Sequence, residues 1–203
     1  MIAALLGICG LYYTLPKELT IGPEWLLLVI SVALIIPTSV THRTGHLRLN
    51  DIFAHTSLAV LTVGLVTSLT LLLRRLPLHL DSPVRLLRVA VVLWIGNVLL
   101  FAAWYWRLDG GGPNMRDSKG IHTDGAFLFP QMTMSDELRK QMGEDKWAPG
   151  FVDYLFLAFN TSTAFSPTDV PVLSPWAKIL MVIQSAISLT TVALLAARAV
   201  NIL

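Results

Sequence analysis

Nine side chains near the C-terminus carry the chemistry this sequence could perform. Six fall in one polar stretch: Thr161, Ser162, Thr163, Ser166, Thr168 and Asp169. Three more, Gln184, Ser188 and Thr191, follow at i, i+4 and i+7 of an apolar run, so a helix there gathers them on one face. Hydroxyl, carbonyl and carboxylate oxygens are hard ligands for small cations. A polar stripe on an apolar helix either lines a water path or supplies hydrogen bonds to neighbouring helices. The pattern holds no nucleophile beside a base, so no catalytic residue and no enzyme is expected. His42 and His46 stand four apart, with Asp51 and His55 nearby, but they read as solvated groups at a membrane surface. Neither a metal nor a cofactor is expected.

Those oxygens need elements to position them. Pro149 and Gly150 punctuate a helix start, and Asp153 falls in the first turn, where a carboxylate complements the positive end of the helix dipole. The helix is predicted to run to about Thr161, its partly negative end facing the polar stretch. Ser166, Pro167 and Thr168 are turn formers. A long apolar run then extends from Trp176 to the C-terminus. A short helix, a polar dip and a full spanning helix together predict a re-entrant segment. Irregular backbone at membrane depth survives only where protein buries it or it lines water.

The rest of the chain agrees with a bilayer setting. Of its 203 residues, 54% are hydrophobic and only 14% charged, against roughly 25% charged in a soluble domain. The net charge of +2 is too small to point to a nucleic acid. The single cysteine, Cys9, excludes an intramolecular disulfide and reads as a small buried hydrophobe. Met1 to Leu15 lacks a basic leader and a small-residue cleavage site, so it is read as a first, short span. Trp25 to Val40, Ile52 to Leu73, Leu86 to Trp106 and Trp176 to Ile202 follow as spans two to five. Trp104, Tyr105 and Trp106 form an interfacial aromatic cluster. Between the last two spans lies the one long polar stretch, Arg107 to Gly150, with a Gly110-Gly111-Gly112-Pro113 breaker and a short surface helix predicted within Ser135 to Asp145.

Basic residues give the orientation. Arg74, Arg75, Arg85 and Arg88 flank one loop, and Lys17 lies on the same side. The opposite short loop holds Arg43 and Arg48, and the long loop balances six Lys/Arg against seven Asp/Glu. The positive-inside rule places the Arg74–Arg88 loop in the cytoplasm, the long loop and the N-terminus outside, and the C-terminus inside. Arg85 and Arg88 stop after two, too few for a voltage-sensing series.

The stretch Thr161-Ser162-Thr163-Ala164-Phe165-Ser166-Pro167-Thr168-Asp169, followed by Trp176, Ala177 and Lys178, resembles the potassium-channel pore loop T-x-T-T-V-G-Y-G-D and its following Trp. The threonines, the Asp and the Trp keep that spacing. Ser166 and Thr168 stand where the filter glycines would be, and Pro167 where the tyrosine would be. Glycine reaches the backbone angles of a carbonyl cage without a steric penalty, so any cation pathway here is expected to discriminate poorly between potassium and sodium. Over roughly residues 55–203 the chain also resembles a family of uncharacterised bacterial membrane proteins that look like degenerate potassium channels. The shared elements are Gly125-Ala126-Phe127-Leu128-Phe129-Pro130, Asp153-Tyr154-Leu155-Phe156-Leu157-Ala158-Phe159-Asn160, Thr168-Asp169-Val170 and Ala199-Val200-Asn201.

These features predict an all-α, polytopic membrane bundle with five spanning helices and a re-entrant helix and loop before the last. Residues 1–82 form a three-helix membrane region. Residues 83–203 form a pore-domain-like region: a helix, the long outer loop 107–150, the re-entrant helix and loop 151–175, and the final helix 176–203. The resemblance implies a bacterial inner-membrane protein, surrounded by membrane lipid, with four subunits around one axis and monovalent cations as its cargo. The nine residues named first would be the ion pathway, with Asp169 at the outer mouth. The alternative expectation is a non-conducting membrane scaffold or subunit that keeps the pore-domain fold.

Overall fold

The computed structural model describes residues 2–20, 22–23, 25–76, 82–119, 125–145, 147–163 and 170–199. Its described regular structure is helical: α1 (Ile2–Tyr13), α2 (Trp25–Arg43), α3 (Leu47–Arg75), α4 (Pro83–Leu108), α5 (Pro113–Lys119), α6 (Asp136–Gln141), α7 (Phe151–Thr163) and α8 (Pro175–Ala199). Among the described residues β-pairing is confined to one isolated antiparallel bridge, Phe127 with Val172. Among the described residues three helices are long and apolar enough to cross a bilayer: Leu47–Arg75, Pro83–Gly111 and Pro175–Ala197. Ala3–Tyr13 and Leu28–His42 are apolar but shorter. The chain is therefore an all-helical protein with three membrane-spanning candidates, and its apolar helices are compatible with a membrane setting.

The fold divides into two compact units, Met1–Leu100 with Ala186–Leu203, and Phe101–Ser185. The first is organised by α3. Its buried residues Asn50, Ala54, Leu58, Leu61, Leu65, Leu69 and Leu72 recur every three or four positions and form one stripe. Next to α3, α2 runs as its hairpin partner. Asn50 fixes the hairpin near its turn, where Nδ2 donates to the Thr38 carbonyl at 2.5 Å and to Thr41 Oγ1 at 3.4 Å. Helix α2 continues past Pro37 and runs to Arg43, beyond the predicted Val40. The hydroxyls of Thr38, Ser39 and Thr41 reach back to the carbonyls of Leu34, Ile35 and Pro37 at 2.7, 3.0 and 2.7 Å. Those bonds satisfy the hydroxyls within the helix, as an apolar medium requires. At the other end of the hairpin, Arg85 Nη2 meets Glu18 Oε2 at 2.9 Å. Both side chains are over 40% exposed, so solvent screens this ion pair and it adds little to stability.

Candidate functional site

Polar side chains of the second unit meet in two buried nodes: one joins the end of α4, α7 and α8, and the other joins the end of α4, α5, the segment at Ala126 and α7. The first centres on Gln184, which is fully buried. Its Nε2 donates to the Ala158 carbonyl at 2.7 Å and to Ser162 Oγ at 2.8 Å. Its Oε1 accepts from the Tyr105 hydroxyl. One amide thus joins three helices. Ser185 Oγ adds a longer bond to the Thr161 carbonyl at 3.4 Å.

The second node centres on Asp109, also fully buried. Oδ1 accepts from the Ala126 N–H at 2.5 Å, and Oδ2 accepts from the Tyr154 hydroxyl at 2.6 Å. The Arg116 guanidinium donates to the carbonyls of Asp109 at 2.5 Å and Trp106 at 2.9 Å. Those carbonyls close α4, so Arg116 acts as its C-terminal cap. The guanidinium also lies 5.4 Å from the Trp106 ring centre and 5.6 Å from that of Tyr154. Chain reversal after Asp109 depends on glycine. Gly112 has φ +87, and a Cβ there would sit 2.7 Å from the Arg107 carbonyl.

Aromatic packing holds the nodes together. Phe127 meets the rings of Tyr105, Tyr154 and Trp176 at 5.2, 6.2 and 6.1 Å, and Phe129 meets those of Tyr154 and Trp147 at 5.3 and 5.7 Å. The Phe127–Val172 bridge carries two backbone bonds, Leu128 N–H to the Pro171 carbonyl at 3.0 Å and Leu173 N–H to the Ala126 carbonyl at 2.8 Å. These anchor the segment that enters α8. Helix α7 begins where Pro149 and Gly150 predict, and Asp153 Oδ2 accepts from the Gly150 N–H at 2.7 Å. It continues to Thr163, two residues beyond the predicted end, because Thr161 and Thr163 bond back to the carbonyls of Leu157 and Asn160 at 2.8 and 3.2 Å. Its outer face leaves Val152, Phe156 and Phe159 uncovered at 74%, 59% and 44%.

The predicted pathway residues divide as follows. Thr161 and Ser162 are buried and Thr163 is half-buried. Ser166, Thr168 and Asp169 lie outside the described residues. Gln184, Ser188 and Thr191 do share a face of α8, and each is at most 1% exposed. Ser188 Oγ accepts from the Trp94 indole N–H at 3.1 Å, and Thr191 Oγ1 donates to the Ile187 carbonyl at 2.5 Å. The stripe is therefore consumed by hydrogen bonds inside the single chain. Sequence reasoning did not single out Asp109 or Arg116. The only signal was a carboxylate directly before three glycines, read as a simple breaker. Compared as a whole, the chain matches no protein-family profile, no curated protein and no solved structure.

Proposed function

We propose that the chain is a multi-pass membrane protein that keeps a pore-domain layout as a non-conducting scaffold or subunit. In this reading α1 and α2 cross the bilayer beside α3, α4 and α8, giving five spans, and α7 with the loop after it enters and leaves from the outer face. The observation that carries the reading is the burial of Gln184, Ser188 and Thr191 within one copy of the chain. A residue that lines a channel between copies has to be uncovered in each copy alone. The re-entrant layout is supported by two features. Helix α7 follows directly on the long polar loop and ends, 13 residues on, in the hydroxyl run Thr161-Ser162-Thr163, as a segment that turns back does. Its uncovered apolar face also suits immersion rather than water.

The second reading is a poorly selective cation channel of four copies, the resemblance to degenerate potassium channels being its origin. It is favoured by α8, whose apolar window is only 17% buried against 61% for α4, leaving surface for neighbouring copies. Flux from proteoliposomes, together with the oligomeric state in detergent, tests the choice. The scaffold reading predicts no potassium or sodium flux above empty vesicles. A tetramer with flux that falls on Asp169→Asn overturns it and installs the channel. The orientation is tested separately with a cysteine at Ser118 and an impermeant thiol reagent. Labelling of intact cells is expected, and labelling only after membrane disruption reverses the topology.

A further inference from the structure

An apolar groove of about 360 Å³ lies in the first unit between α2 and α3. Leu26 and Ile30 form one wall, and Ala59, Val60, Val63 and Gly64 the other. Small residues at 59 and 64 make the depression, since larger side chains at those positions would fill it. A space of this size lined by carbon forfeits dispersion contacts if it stays empty, and water gains no partners there. Ala59 is exposed and Val63 is 61% exposed, so the groove opens outward from the helix pair rather than into the core.

The position of the groove identifies its occupant. Leu26 is in the first turn of α2, directly after Trp25, which is 56% exposed and marks the headgroup level. On the partner helix Ser68 closes the groove, seven residues before Arg75, or about 10 Å along the helix. The groove thus starts just beneath one membrane face. That face is cationic: segments 17–24 and 74–88 hold five Lys/Arg against three Asp/Glu. Lys17, Arg74 and Arg88 are exposed there. Arg85 is bonded to Glu18 of the turn Lys17–Leu19, which packs on α3 and so gathers this charge at the α3 end.

We propose that this groove holds an acyl chain of an anionic phospholipid whose phosphate sits among Lys17, Arg74 and Arg88. The apolar walls supply chain affinity, and the cationic rim supplies headgroup selectivity, each nearby Lys or Arg adding attraction for an anionic lipid.

The test uses the full-length protein in a neutral detergent. Phosphatidylglycerol and phosphatidylcholine of identical acyl chains are titrated, with bound lipid read by native mass spectrometry. The wild type is expected to bind phosphatidylglycerol at least tenfold more tightly. Ala59→Phe, which fills the groove from an exposed position, is expected to weaken both lipids at least tenfold. Val63→Phe serves the same purpose should the first variant fail to fold. Lys17→Gln combined with Arg74→Gln is expected to remove the preference while leaving phosphatidylcholine binding intact. Equal binding of the two lipids by the wild type overturns the headgroup assignment. Unchanged binding in the groove-filling variants overturns the site. Loss of a self-associated state in those variants, without loss of lipid, makes the groove a contact between copies instead.

Discussion

Replacing Gln184 separates the two readings of the α8 stripe. Gln184→Leu preserves bulk but removes two donated bonds, at 2.7 and 2.8 Å, and the acceptor for the Tyr105 hydroxyl. Side-chain hydrogen bonds inside membrane bundles average about 0.6 kcal/mol and reach about 1.7. Three of them come to about 2 kcal/mol. Tyr105 is fully buried, so its stranded hydroxyl adds a desolvation cost of about 1–3 kcal/mol unless it rotates to a new partner. The expected destabilisation is about 2–5 kcal/mol, the lower end applying if Tyr105 finds a new partner. At this chain length each kcal/mol moves the midpoint by roughly 2–4 °C, so Tm in detergent should fall by on the order of 4–20 °C. Tyr105→Phe removes the same hydroxyl. The double variant should therefore be less destabilised than the sum of the singles, with a coupling of about 0.6–1.7 kcal/mol. Thermal unfolding of the four proteins by intrinsic tryptophan fluorescence gives the cycle. Additive singles, or a Gln184→Leu protein that melts with the wild type yet shows altered ion flux, would refute the knot and restore Gln184 to a water path.

Three further outcomes are expected. Tyr154→Phe takes the 2.6 Å donor from a buried carboxyl and should cost about 1.5–3 kcal/mol, the range for bonds to charged groups, read as a lower Tm; an unchanged Tm would mean that Asp109 is satisfied without it. Gly112→Ala forces a Cβ to 2.7 Å from the Arg107 carbonyl at φ +87 and should destabilise by more than about 1 kcal/mol, whereas Gly143→Ala, at φ +73 with open space around its Cβ, should cost less. Glu18 is held below the ordinary carboxylate range first by its own backbone N–H and then by Arg85 and Arg75. A depressed folded pKa contributes stability above the unfolded value and loses it as pH falls through the folded value, so wild type and Glu18→Gln should differ slightly at neutral pH and converge in acid; a difference that grows in acid would contradict the assignment.

The sequence by itself determined the local part of this protein. Apolar runs of span length fixed α3, α4 and α8, because a backbone in lipid has to bond within its own segment and its period is visible in each run. Pro149, Gly150 and Asp153 marked the start of α7, and the run around Asp136 gave the exposed helix α6, because caps act within one turn. The spacing of Gln184, Ser188 and Thr191 gave a shared face, but periodicity does not say what the face meets. Only the tertiary structure decided that, by bringing Tyr105 to Gln184 across 79 residues and Tyr154 to Asp109 across 45. It likewise turned Phe127 and Phe129 from two letters in a loop into the aromatic core of a unit. A buried polar group is satisfied by whichever partner the packing brings within about 3 Å, and no local pattern encodes a partner dozens of residues away.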